Sequence, residues 1–178
     1  MTNQVPPGFA VWMTGLPSSG KTTLAKMLAK ILFEQGVNVQ VLDSDDLREV
    51  LTPQPSYSQS ERDWFYHVLV YITELLTQNG VNVVIAATGS LRRYRQEARD
   101  RLDRLAEVYL ICPIEVCKQR DPKGLWKRVE TGELTDLPGA DATYEEPLSP
   151  EVQVDTQALS PQAGAQKVFE YLKMRKLI

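Results

Sequence analysis

The residues of this chain best suited to do chemistry are Gly15-Leu16-Pro17-Ser18-Ser19-Gly20-Lys21-Thr22, which fit the spacing G-x-x-x-x-G-K-[ST] at every fixed position. Glycines at those places let the backbone curl until successive N–H groups point inward at phosphate oxygens. A helix beginning at Lys21 would add about half a positive charge. Lys21 would reach the β- and γ-phosphates of a nucleoside triphosphate such as ATP, and Thr22 would offer its hydroxyl to Mg²⁺. Thr23 follows as the next residue of the same turn.

A second candidate group is Asp43-Ser44-Asp45-Asp46, three carboxylates after an apolar run. At the C-terminal edge of an open parallel sheet such groups meet bound ligand, and here they should stand one strand along from the phosphate loop. A plainer reading leaves Ser44 or Asp45 as the cap of a helix over Asp46 to Leu51.

Elements able to hold these groups can be read from periodicity. Phe9 to Met13 is continuously apolar, as a buried strand is, and Thr23 to Leu32 repeats with helical spacing before Gln35-Gly36 ends it. Val37 to Leu42 predicts a second strand, Ser60 to Gln78 a long helix with a cap-like start, and Val81 to Ala87 a third strand buried on both faces. Arg92, Arg93, Arg95, Arg99, Arg101 and Arg104 crowd the next helical segment. Most should be solvated, with one or two near the strand end free to clamp an anion.

Ala106 to Cys112 is the fourth strand and Glu115 to Gln119 a short helix. Val152 to Val154 is the fifth strand, and a closing helix over Gln162 to Lys173 has Pro161 at its first position. Residues 120–148 are rich in Pro, Gly and acidic groups and weak in apolar pattern, so they read as a lid over the site. The class is therefore α/β: a parallel sheet with helices on both faces and a lid, of the P-loop NTPase type, in one domain spanning 1–178.

A net charge of −3 argues against general nucleic-acid binding, while a local cluster of N–H groups and Arg or Lys still suits a small anion. Cys112 and Cys117 stand five apart, fit neither a zinc pair nor a C-x-x-C motif, and read as buried small hydrophobes. No apolar run approaches the roughly 18 residues of a membrane span, and Met1 to Gly8 lacks the basic and apolar parts of a leader, so the cytoplasm is expected.

Several segments together resemble the adenylyl-sulfate kinases, which phosphorylate the 3′-hydroxyl of adenylyl sulfate. Arg120-Asp121-Pro122-Lys123-Gly124-Leu125-Trp126-Lys127 is similar to that family's lid signature R-D-P-K-G-L-Y-K, Leu42 to Arg48 to its L-D-G-D-N-x-R, and Tyr57-Ser58 through Glu61-Arg62 to its F-S-x-x-D-R. The resemblance implies Asp45 as general base for the attacking hydroxyl, and Arg48 and Arg62 as clamps on the phosphosulfate. It also implies Tyr57 against the acceptor adenine, Ser90 beside the sulfate, and Lys123 on the lid near the phosphates. It brings ATP and Mg²⁺ as cofactors, adenylyl sulfate or a similar small anionic nucleotide as partner, and a homodimer as the common assembly.

The departures fall on the acceptor side: Ser44 for glycine, Asp46 for asparagine, Trp64 to His67 without the family's asparagine and arginine pair, and Thr88-Gly89-Ser90-Leu91 for F-I-S-P. Leu137 stands where the family presents a phenylalanine to the acceptor base. His67, the single histidine, reads as a partly buried packing residue. Two rivals keep the fold: a kinase for another small hydroxyl compound, and a nucleotide-binding regulator without transfer activity.

Overall fold

The computed structural model describes residues 5–178, so the start of the stretch read for a leader lies outside the described residues. Among these residues no helix is long and apolar enough to cross a membrane. Twelve elements follow in chain order: β1 (Ala10–Thr14), α1 (Lys21–Glu34), β2 (Val39–Asp43), α2 (Ser44–Leu51), α3 (Gln59–Gln78), β3 (Asn82–Ala86), α4 (Arg92–Arg101), β4 (Leu105–Ile111), α5 (Ile114–Arg120), α6 (Leu125–Glu130), β5 (Val152–Asp155) and α7 (Pro161–Met174).

The five strands form one parallel sheet in the order β2-β3-β1-β4-β5. β1 is central because it is apolar on both faces. Phe9, Val11 and Met13 enter one core with Leu24, Leu28 and Leu32 of α1 and Val168 and Leu172 of α7. Ala10 and Trp12 enter the other, with Phe65, Tyr66 and Leu69 of α3 and Tyr94 and Ala98 of α4. A strand alternating between two cores must be sandwiched by helices, which is why the crossovers lie on both sides.

The order corrects one expectation. β3 lies between β1 and β2, with Met13 and Asp43 both in register with Ala86, so the acidic group stands two strands from the phosphate loop. Its cap also differs from either residue weighed above. Asp43 is the N-cap of α2, its Oδ1 accepting the Asp45 N–H at 2.9 Å, and the helix begins at Ser44. α3 likewise starts earlier than Ser60, capped by Ser58.

The arginine-rich helix differs most from its reading. Arg95 is buried, its Nε donating to Glu107 Oε1 at 2.7 Å and its guanidinium also to the Gly89 and Glu145 carbonyls. Arg99 bonds Glu107 and Glu151, Arg101 pairs with Glu74, Arg93 with Asp63, Arg92 reaches the Glu146 carbonyl, and Arg104 ties the Pro7 and Leu177 carbonyls together. All six hold protein to protein, where most were expected to be solvated. A charge buried this deeply persists only when paired and fully hydrogen-bonded, and Glu107 on β4 supplies the pair. His67 is exposed instead of partly buried, with its Nδ1 2.6 Å from Glu97 Oε1.

Candidate active site

The phosphate loop joins the buried end of β1 to α1. A side chain on Gly15 would put its Cβ 2.7 Å from Ser19 Oγ and 2.9 Å from the Leu110 carbonyl oxygen, so that position admits only hydrogen. Gly20, at φ 101, takes a left-handed turn that lets α1 begin at Lys21 with its N-terminal N–H groups facing the loop's concavity. Ser19 Oγ is buried and finds no partner among the described residues. An orphaned hydroxyl of this kind, in a glycine-bounded loop at a helix N-terminus, is what a phosphate oxygen would satisfy.

Lys21 Nζ donates to the loop's own carbonyls, Gly15 at 3.1 Å and Leu16 at 2.9 Å. Burial of the ammonium lowers its pKa to about 8, the nearby carboxylates of Asp45 and Asp43 opposing that shift. Thr22 Oγ1 donates to Asp43 Oδ2 at 2.6 Å. A hydroxyl backed by a carboxylate is a hard oxygen set. It suits Mg²⁺, which takes one or two protein ligands and completes its shell with water and phosphate. Thr23 is exposed on the same turn.

A cavity of about 1710 Å³ opens above the carboxyl ends of the strands. Lys21, Thr22, Asp43 and Asp45 form its floor, and Arg48, Tyr57, Arg62 and Tyr66 one end. Arg120 and the β5–α7 segment from Thr156 to Pro161 form the other. This second end was missed from sequence. Its only signal is that Ser160-Pro161 opens a helix, while Arg120, which donates to the Thr156 carbonyl at 2.5 Å, belongs to the lid signature.

The lid is less irregular than its composition suggests, because α6 lies within it. Asp121 starts that helix, its two carboxylate oxygens accepting the Leu125 and Lys127 N–H groups at 2.9 and 3.1 Å. Trp126 is buried and its Nε1 donates to the Pro17 carbonyl of the phosphate loop at 3.2 Å. With Cys112, Cys117 and Leu137 it makes a third apolar cluster, against which Leu16 packs. Both cysteines are free and buried, and burial first, then Cys112, pushes the Cys117 thiol up to about 12, so Cys117 is not a thiolate at neutral pH.

At the lid's far end Tyr144 packs 6.5 Å from Tyr109, and its hydroxyl donates to Thr14 Oγ1 at 3.0 Å, whose own proton goes to the Thr88 carbonyl at 2.6 Å.

The lid lysine Lys123 pairs with Asp45 across the cavity, both side chains about half exposed. Arg48 Nη1 lies 3.2 Å from Glu61 Oε1, with its guanidinium 3.9 Å from the Phe65 ring centre and 5.2 Å from that of Tyr57. Arg62 donates to the Tyr57 carbonyl at 2.8 Å and to the Asp136 carbonyl of the lid at 2.5 Å. Leu137 touches the cavity, though most of its surface is spent in the Trp126 cluster. Ser90 is buried, its carbonyl accepting the Glu145 N–H at 2.8 Å. The structure thus gathers Lys21, Thr22, Asp45, Arg48, Tyr57, Arg62, Lys123 and Leu137 at one cavity and leaves Ser90 behind its wall.

A glycine loop on the first strand of a parallel sheet, carboxylates at the sheet's edge and a basic lid above them together define a P-loop kinase. Comparison with known proteins narrows the class. The adenylylsulphate kinase family pattern matches residues 7–155. The probable adenylyl-sulfate kinase of Pyrococcus abyssi is 41% identical over 166 residues, 93% of this chain and 95% of that protein. The corresponding protein of Bacillus subtilis is 36% identical over 167 residues, 93% and 85% of the two chains. The Mycobacterium tuberculosis APS kinase CysC, solved in complex with AMPPNP and APS, superposes with a TM-score of 0.90 at 32% identity, covering 94% of this chain and 99% of that one. This chain belongs to the adenylylsulphate kinase family, and its class of activity is ATP-dependent phosphoryl transfer to a hydroxyl group.

Proposed function

We propose that this protein transfers the γ-phosphoryl group of ATP to the 3′-hydroxyl of adenylyl sulfate, giving 3′-phosphoadenylyl sulfate and ADP. The observation that carries the reading is the single cavity in which the phosphate loop, Asp45 and the basic group of Arg48, Arg62 and Lys123 face one another.

In this reading the loop from Gly15 to Thr23 holds the triphosphate, and Arg120 with the Thr156 to Pro161 segment flanks the ATP base. Thr22, with Asp43 behind it, would hold Mg²⁺, which would supply charge neutralisation to the triphosphate. Asp45 accepts the proton of the 3′-hydroxyl as its oxygen bonds to the γ-phosphorus and the bond to the β-phosphate oxygen breaks. Lys123 exchanges its pairing with Asp45 for the transferring phosphoryl group, leaving the carboxylate free to act. Arg48 and Arg62 orient the phosphosulfate, Tyr57 lies against the acceptor adenine, and Ser90 and Leu137 shape that end from behind the wall and from the lid. A lid docked by Trp126 excludes water, the competing acceptor.

A second reading, another anionic acceptor, draws on Phe65 and Tyr66. Both are bulky aromatic residues in the stretch that lacks the family's asparagine; Phe65 stands beside Arg48, and Tyr66 lines the cavity. A screen with labelled ATP against adenylyl sulfate, other nucleotides and sugars separates the two. Fastest transfer to adenylyl sulfate is expected, and faster transfer to a non-adenine acceptor would replace the first reading by the second.

The reading extends to a single domain over 1–178, a cytoplasmic location where ATP is supplied, and a homodimer. Trp64, Tyr71 and Leu75 are exposed along one side of α3, and a second copy would cover them. Sedimentation is expected to give twice 20.1 kDa, and Tyr71→Glu to give the monomer.

A further inference from the structure

Glu61 takes no part in the chemistry above, yet the acceptor end of the cavity is built around its carboxylate. Ser58 caps α3 and Glu61 is the third residue of that helix, the spacing of a capping box, in which the glutamate returns to the N–H of the cap residue itself. Here the carboxylate reaches further back. Oε2 accepts the Ser56 N–H at 2.6 Å and the Ser56 hydroxyl at 2.7 Å, while Oε1 accepts the Tyr57 N–H at 3.3 Å and Arg48 Nη1 at 3.2 Å.

Each of these contacts fixes something a helix cap does not need. Tyr57 sits at φ 53, a left-handed conformation that a residue with a side chain avoids unless its neighbours impose it, and the bonds to Ser56 and Tyr57 do so. Held there, its ring lies 5.2 Å from the Arg48 guanidinium and 5.6 Å from that of Arg62. Arg48 is confined by the Phe65 ring at 3.9 Å and by the carboxylate, and its side chain and that of Glu61 are mostly covered. Although burial pushes the Glu61 pKa up, the hydrogen bonds from Ser56 and Tyr57 and the charge of Arg48 bring it below its ordinary value, so the carboxylate is ionised at neutral pH.

We infer that Glu61 is the positioning residue of the acceptor subsite: one carboxylate sets both the Arg48 guanidinium and the Tyr57 ring, and so governs affinity for the acceptor without governing that for ATP. The inference rests on the reading of Arg48 and Tyr57 as acceptor contacts. Its rival is that Glu61 only caps α3. The two differ in what they do to kinetics, because the rival predicts lost stability with unchanged Michaelis constants.

Glu61→Gln turns an N–H₂ group toward donors that need an acceptor, and so breaks the arrangement on at least one side. With adenylyl sulfate as acceptor, its KM is expected to rise by at least about tenfold, while KM for ATP and kcat at saturation change by less than about twofold. Ser58→Ala, which removes the cap and leaves the carboxylate, is expected to lower the thermal midpoint with the acceptor KM unchanged. If Glu61→Gln does not fold, Glu61→Asp serves. Its shorter carboxylate keeps the charge near Arg48 and loses Ser56, and an intermediate acceptor KM is expected. An acceptor KM unaltered in Glu61→Gln, or in Glu61→Asp where that variant is the one used, overturns the inference, as does an equal rise in KM for ATP. A wild-type protein that does not phosphorylate adenylyl sulfate overturns the functional reading itself, and this inference with it.

Discussion

Lys123 in the lid pairs with Asp45 in the first turn of α2, across the cavity and 78 positions away in the chain. Both side chains are about half exposed, so the pair is worth at most about 1 kcal/mol and is easily exchanged. A contact that weak can hold a lid lysine near the site and release it when phosphates arrive.

Asp45 and Asp43 should separate by phenotype. Asp45→Asn is expected to lower kcat by at least about a hundredfold with little change in thermal midpoint, because its side chain makes no contact the fold depends on. Asp43 caps α2 and holds Thr22, so Asp43→Ala should cost about 1 kcal/mol of stability and raise the Mg²⁺ concentration needed for activity. Steady-state kinetics under Mg²⁺ titration, with melting curves, would check both. A nearly neutral Asp45→Asn beside a crippling Asp43→Asn would reverse the assignment of the base.

Lys21→Ala should abolish transfer while leaving the fold intact. The lysine's pKa, lowered to about 8 from 10.5, carries a further consequence. Between those values the unfolded chain binds more protons than the folded one, so the ligand-free protein should gain stability as pH rises through that window. Lys21→Met should lack this dependence in urea melts. Bound phosphates favour the ammonium, so at pH near 8.5 the binding of a non-hydrolysable ATP analogue should take up a proton. Calorimetry in buffers of different ionisation heat would show the uptake in the wild type and none in Lys21→Met.

Gly139 joins the lid to the phosphate loop. It lies at φ 90, and a Cβ there would come 2.3 Å from Leu16 Cδ2. Gly139→Ala should therefore cost about 1–3 kcal/mol in backbone strain and loosen the lid. Faster proteolysis within 120–148 and a lower kcat are expected. Adding Leu16→Ala should relieve the collision and leave the backbone cost, giving partial recovery.

Leu137 fills a cluster with Trp126, Cys112 and Cys117. Leu137→Phe should overpack that cluster, lowering the thermal midpoint by the equivalent of about 1–3 kcal/mol without lowering the KM for adenylyl sulfate. A fall in that KM would mean the ring has left the cluster for the cavity.

The sequence by itself determined the phosphate loop, the five strands, most of the helices between them and the helix after the last, because those signals are local. An apolar run, a 3.6-residue period and a glycine or proline at a boundary are each complete within a dozen residues. It left α6 hidden, because that helix is short and has its stabilising contacts elsewhere, Asp121 at its start and Trp126 against Pro17.

Tertiary structure alone decided that β3 separates β1 from β2, that Asp43 and Asp45 take different work although two positions apart, and that Arg95 belongs to Glu107. It also decided that Glu61 reaches past its own cap to Arg48 and Ser56. Each of these outcomes turns on which way a side chain points once the sheet is assembled and which partner lies within hydrogen-bond reach. Local periodicity carries neither quantity.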